Sequence, residues 1–101
     1  MADLKVSLCG VQLKNPVIAA SGTFGFGKEF GELYDIGLLG GVSTKGLTLE
    51  PRAGNPTPRI AEGRGVILNA VGLQNPGVDA FLEEDLGFLK SSGTAVIANV
   101  A

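Results

Sequence analysis

Gly41-Val42-Ser43-Thr44-Lys45-Gly46, a short apolar run that ends on a cation and is bounded by glycines, decides the fold. Two other runs have the same character: Val17-Ile18-Ala19-Ala20, closed by Ser21-Gly22, and Ala95-Val96-Ile97-Ala98-Asn99-Val100. Short continuous apolar runs without alternation are strands covered on both faces. Between the first two, Phe26, Phe30, Leu33 and Tyr34 recur at helical spacing and predict an amphipathic helix despite Gly27 and Gly31. Gly37 to Gly41 carries the return turn. Before the third run, Asn75-Pro76 reads as an N-cap followed by the first helical residue. Val78, Phe81, Leu82, Leu86 and Leu89 then mark the buried face, Asp79 and Glu83 to Asp85 a solvated one, and Gly93 the stop. Upstream, Lys5 to Leu8 and Val11 to Leu13 flank Cys9-Gly10 as a β-hairpin, and Asn15-Pro16 ends it. The order is hairpin, β, α, β, long loop, α, β, which predicts an α/β protein with a parallel sheet and right-handed crossovers.

The long loop, Gly46 to Asn75, holds three of the five prolines and all three arginines, Arg52, Arg59 and Arg64. Loops of this length in a compact domain are functional or disordered. A hairpin of Arg59-Ile60-Ala61 and Val66-Ile67-Leu68 around a Glu62-Gly63-Arg64-Gly65 turn argues for order. A chain of 101 residues holds one domain. Its apolar content of 45% supports a core, and 16 glycines with only six aromatic residues suit tight turns and an aliphatic interior. A formal charge of −2 leaves no electrostatic footprint for nucleic acid. Apolar runs are too short for a membrane span and a single cysteine makes no internal disulfide, so a cytoplasmic location is expected. A (β/α)8 barrel takes eight strands and roughly 250 residues. Three strands ending at Ala101 are therefore either the N-terminal part of such a barrel or a small three-strand α/β domain complete in itself.

Ser21, Lys45 and Asn99 each fall at the C-terminal end of a predicted parallel strand, the edge where α/β proteins build ligand sites. Singly, each also reads as a cap or a solvated strand end; on three successive strands they point to a site. Lys45 suits an anion or a flavin carrying negative charge. Asn69 offers a donor and an acceptor to the edge of an imide-like ring. Gly72 permits close backbone approach, and Leu73 would cover a planar ligand. The glycines of Ser21 to Gly27 lack dinucleotide-fingerprint spacing. There is no histidine, no Cys-x-x-Cys and no Walker motif, so no metal site is expected. Cys9 reads as a small apolar filler.

Three stretches, Asn15-Pro-Val-Ile-Ala-Ala-Ser-Gly-Thr-Phe-Gly, Thr44-Lys-Gly-Leu-Thr-Leu-Glu-Pro-Arg-Ala-Gly-Asn-Pro-Thr-Pro-Arg and Leu68-Asn-Ala-Val-Gly-Leu-Gln-Asn-Pro-Gly, together resemble dihydroorotate dehydrogenase over essentially the whole chain. Lys45-Gly46-Leu47-Thr48 resembles the class 1B, NAD-linked catalytic subunit. The resemblance implies an FMN-dependent (β/α)8 TIM barrel that oxidises dihydroorotate to orotate in pyrimidine biosynthesis, of which residues 1–101 would be the N-terminal portion, about three strands preceded by a hairpin. It implies FMN contacts from Ser21, Lys45, Gly46 and Asn99, and substrate contacts from Lys45, Asn69, Ala70, Val71, Gly72 and Leu73. The family's base is a cysteine on a later loop, expected beyond Ala101 and without a counterpart here. No catalytic base is therefore assigned within the chain, and these residues alone are expected to be inactive. The implied partners are a second catalytic subunit, as a homodimer, and an iron-sulfur and FAD subunit passing electrons to NAD. A related dihydropyrimidine-oxidising flavoprotein and a non-catalytic α/β domain are the alternatives.

Overall fold

The computed structural model describes residues 2–101. Strands β1 (Val6–Leu8) and β2 (Val11–Leu13) form an antiparallel hairpin. Its turn residues Cys9 and Gly10 both have positive φ, +50° and +83°, the backbone twist that two-residue hairpins need. β3 (Ile18–Ala19), β4 (Gly41–Ser43) and β7 (Ala95–Ile97) form the expected parallel sheet, with β4 in the centre. Across it, Ile18 pairs with Gly41 and Gly41 with Ala95, while Ala19 pairs with Val42 and Val42 with Val96. Strand residues alternate between faces. Ala19, Val42 and Val96 therefore meet the main core of Phe24, Ile36, Val42, Leu47, Phe81 and Leu89, and Ile18, Ser43 and Ile97 face the other way. Leu8, Val11 and Leu13 of the hairpin line an apolar cavity with Ala95, Val96 and Ile97, and Cys9 shares it.

The first predicted helix is a single turn, α1 (Lys28–Gly31), followed by a short 3₁₀ turn at Ile36–Leu38. Gly27, at φ +81°, starts α1 without a side-chain cap. Phe26 and Phe30 pack on the core as expected, but Leu33 is 79% exposed. Gly31 lets the Phe88 ring approach, and a Cβ there would sit 2.9 Å from Phe88 Cζ. The glycines thus favour close packing of one turn over a longer helix.

The second helix starts at Val78, two residues later than its Asn-Pro signal. It runs through α2 (Val78–Ala80), a π-turn (Phe81–Asp85) and α3 (Leu86–Ser91). Four-residue spacing puts Phe81, Asp85 and Leu89 on one inward face. All three are buried, whereas Leu82, expected in the core, is 52% exposed. Asp85, expected on the solvated face, instead forms an ion pair with Lys28 at 2.7 Å, joining the two helical segments. Gly93 ends the helix at φ +72°. The second hairpin forms as β5 (Ile60–Gly63) and β6 (Val66–Asn69), joined by Arg64-Gly65, with Glu62 and Gly63 in the strand rather than in the turn.

The carboxylate of Asp85 holds the Lys28 ammonium above its usual 10.5, chiefly through their hydrogen-bonded ion pair. A raised lysine value means that the stabilisation is complete below pH 10.5 and disappears as pH climbs through the raised value. Denaturant melts of Lys28→Met against the parent should therefore show a deficit from neutral pH to about 10 that closes at higher pH. A deficit that persists unchanged at about pH 12 would assign the loss to packing of the lysine stem.

Candidate functional site

The ends of all three parallel strands converge on Thr44, which is fully buried. Its N–H donates to Ile97 O at 3.0 Å, continuing the β4–β7 ladder. Its carbonyl accepts from the Ser21 hydroxyl at 2.6 Å, which brings in the end of β3. Its own hydroxyl donates to Lys45 O at 3.1 Å and accepts from Asn99 N at 3.3 Å. Ser21, Lys45 and Asn99 are thus set side by side by one buried side chain and its backbone. Leu47 N then donates to Asn99 O at 2.8 Å.

Ala101 continues this ladder. Its N–H donates to Leu47 O at 2.9 Å, its methyl group is exposed, and it lies outside the cleft described next. With Asn99 O accepting from Leu47 N, the last residues continue the parallel pairing past β7, where Leu47 and Val100 form a bridge.

Above the strand ends lies a cleft of about 460 Å³ lined by Ser21, Gly22, Thr23, Lys45, Ile60, Ile67, Asn69 and Val71. Cation, hydroxyl and carboxamide therefore share one cleft, as expected for three of the candidate residues. Val71 joins them through the same arm. Lys45 is half-buried. Among the described residues the one salt bridge is Lys28 with Asp85, so the Lys45 ammonium has no carboxylate partner there. Ser21 spends its proton on Thr44 O and keeps its lone pairs for an incoming donor.

Gly46, Leu73 and Asn99 form an adjoining group. A Cβ on Gly46 would meet Leu73 Cδ1 at 2.8 Å and Asn99 Nδ2 at 3.4 Å, so the glycine makes room for both side chains. Leu73 has φ +53°, in the left-handed region that branched residues avoid. Gly72, at φ +79°, lies against Asn55, where a Cβ would come within 2.9 Å of the Asn55 backbone N. Ala70 stands apart from the cleft. Its N–H donates to Arg59 O at 2.8 Å, its carbonyl accepts from Asn55 Nδ2 at 2.8 Å, and it lines a shallow hollow with Pro58, Ala61 and Leu68.

Several residues outside the sequence expectation shape the site. Ile60 and Ile67 form an apolar wall opposite Lys45. Asn55 N also donates to Val71 O at 2.9 Å, and Arg59 bonds Asn55 O, Ala53 O and the Gln74 side chain. The hairpin is readable in the sequence, but both of its faces carry apolar residues, Ile60 and Ile67 on one and Ala61 and Leu68 on the other; nothing local to Asn55 or Arg59 tells which backbone groups they hold.

A family model described as dihydroorotate dehydrogenase matches residues 3–101. This chain belongs to the dihydroorotate dehydrogenase family. It is 61% identical over 101 residues to the "Dihydroorotate dehydrogenase B (NAD(+)), catalytic subunit" of Petrotoga mobilis, covering 100% of this chain and 34% of the relative. It is 58% identical over 98 residues to the protein of the same name from Caldicellulosiruptor saccharolyticus, covering 97% and 33%. The chain thus spans about a third of the length of these relatives. Among solved structures, the dihydroorotate dehydrogenase of Eimeria tenella in complex with ferulenol superposes with a TM-score of 0.61 at 22% identity. That superposition covers 97% of this chain and 28% of the other, and it supports the α/β fold with its parallel sheet. No helix among the described residues is long and apolar enough to cross a membrane.

Gly72→Ala combines a strained left-handed φ with a clash against Asn55, and should cost about 1–3 kcal/mol. Because the arm would loosen before the sheet, amide exchange at Asn55 and Ala70 should accelerate while exchange at Thr44 holds steady. Equal acceleration at all three sites would show that the arm is not a separate unit.

Proposed function

We propose that this chain is the N-terminal portion of the catalytic subunit of an NAD-linked dihydroorotate dehydrogenase, its three parallel strands opening a (β/α)8 barrel, and that its cleft binds dihydroorotate and orotate beside FMN. The observation that carries this is the unpaired Lys45 ammonium sharing one cleft with the carboxamide of Asn69 and an apolar wall. Orotate is a flat carboxylate with an imide edge, and dihydroorotate carries the same carboxylate and imide on a ring with two saturated carbons. Lys45 would pair with the carboxylate, Asn69 would donate to and accept from the imide, and Ile60 and Ile67, both exposed in the unliganded chain, would pack against the bound ring. Ala70 would contribute through the backbone bonds that shape the run, Val71 and Gly72 by close backbone approach, and Leu73 by covering the ring.

The polar groups at the strand ends fit a flavin. Ser21 retains acceptor lone pairs, Asn99 an amide and Lys45 a cation, while Gly46 lets the Leu73 and Asn99 side chains pack against the strand end. When bound, FMN supplies the hydride acceptor for oxidation of the substrate's C–C bond. Lys45, shared by both ligands, would hold the substrate carboxylate in register with the cofactor and offset negative charge there. Among the described residues, the cleft lining contains no cysteine, histidine or carboxylate. Cys9, in the hairpin turn, lines a different cavity with Ala95 to Ile97. On this reading, as the family resemblance implies, a later segment of the full-length subunit would supply the base that takes the ring proton, and residues 1–101 alone would turn over no substrate. Electrons leave to NAD through an iron-sulfur and FAD partner subunit, in an assembly built on a catalytic homodimer in the cytoplasm.

The test is anaerobic flavin reduction by dihydroorotate in the full-length subunit. Lys45→Ala should slow reduction by about 10²-fold or more and weaken orotate binding at least about tenfold. Unchanged kinetics would remove Lys45 from the site, and turnover by residues 1–101 alone would overturn the placement of the base. Preference for another dihydropyrimidine in a substrate panel would redirect the substrate assignment.

A further inference from the structure

Asn75 occupies a place that a helix cap does not explain. The helix begins three residues later, yet Asn75 is only 6% exposed and its carboxamide uses its full hydrogen-bonding capacity. Oδ1 accepts from Thr48 N at 3.1 Å and Gly77 N at 2.9 Å. Nδ2 donates to Leu73 O at 2.9 Å and to Thr48 Oγ1 at 3.0 Å. The Thr48 hydroxyl passes its own proton to Glu50 O at 2.6 Å. The Asn75 backbone pairs in both directions with Arg52.

These bonds connect the two segments that border the candidate cleft. Thr48 lies three residues beyond Lys45, on the segment leaving β4, and Leu73 closes the run Asn69 to Leu73. Leu73 is the residue held at φ +53°, with its side chain against Gly46. A leucine in that conformation stays there only if its surroundings over-determine it, and the Asn75 amide on its carbonyl is the nearest such restraint.

We propose that Asn75 is a positioning residue for the substrate site: its carboxamide sets the distance between Lys45 and the Asn69 to Leu73 run, and so tunes orotate affinity without touching the ligand. This rests on the assignment of the cleft to dihydroorotate and orotate. Asparagine suits the role because the two edges of one amide are a pair of donors and a pair of acceptors. Aspartate of the same shape keeps the acceptor bonds to Thr48 N and Gly77 N. It loses both donors and turns a carboxylate oxygen toward Leu73 O.

The experiment measures orotate binding by flavin absorbance in the full-length, FMN-loaded subunit, for the parent and for Asn75→Asp, with flavin content and thermal melting recorded for each. The expected result is a rise of about tenfold in orotate Kd per flavin-loaded enzyme, with flavin content retained. A purely structural role predicts a lower melting temperature or flavin content with the Kd of the loaded enzyme unchanged, and that result overturns the proposal. Where Asn75→Asp does not fold, Thr48→Val decides: it deletes one of the two acceptors of the Asn75 amide and should raise Kd about threefold, while an unchanged Kd again overturns the proposal. A parent enzyme that fails to bind orotate would instead refute the assignment of the cleft itself.

Discussion

The end of strand β4 must satisfy the backbone groups that the parallel ladder leaves open, and Thr44 does so from within the protein. Its amide, carbonyl and hydroxyl are all engaged, and through them the ends of β3 and β7 are tied to the end of β4. Burying these groups unpaired would cost about 1–3 kcal/mol each, so the strand ends have little freedom to splay. The consequence is positional. Ser21, Lys45 and Asn99 lie on three short segments separated by 24 and 54 positions in the chain, yet share one edge because a single threonine serves all three.

The long excursion after Lys45 is governed by a different balance. Both strands of its hairpin are exposed throughout, and an isolated two-stranded hairpin is marginal in water. Its order comes from its base, where Asn55, Arg59 and Asn75 fasten the outgoing segment to the returning one. Gly54, at φ +76° beneath Val71 O, and Gly72 against Asn55 permit the two segments to run this close. The arm therefore acts as a wall hung from a hydrogen-bonded hinge. Ile60 and Ile67 face the cleft, while Ala61 and Leu68 are paired on the opposite face of the same ribbon.

What the sequence made legible was whatever depends on local pattern. Apolar runs marked the three parallel strands, Cys9-Gly10 marked a turn needing two positive φ values, and a cation ending a strand marked the site edge. The misses all involve packing between distant segments. Gly31, at the end of the single turn α1, leaves room for the Phe88 ring from the second helix. Asp85 lies four residues from both Phe81 and Leu89, on the buried helix face, and its charge is met there by Lys28 from another segment. Asn75 looked like a cap because Asn-Pro is a cap signal, but its side chain serves Leu73 and Thr48 as well as Gly77. The same local signal fits both roles, and only the neighbours choose between them.

Two lysines show how the fold separates structure from function. Lys28 meets the buried carboxylate of Asp85 and is spent on stability. Lys45, half-buried across from Ile60 and Ile67, meets no carboxylate among the described residues. A charge that is partly desolvated without a partner weakens the protein that carries it, and such local deficits gather where a ligand makes them good. An anion entering this cleft would recover the lost interaction in a setting less screened than open water. On the proposed reading, selectivity would rest on Asn69, because a carboxylate lacking an imide edge would satisfy the cation and leave the carboxamide unmatched.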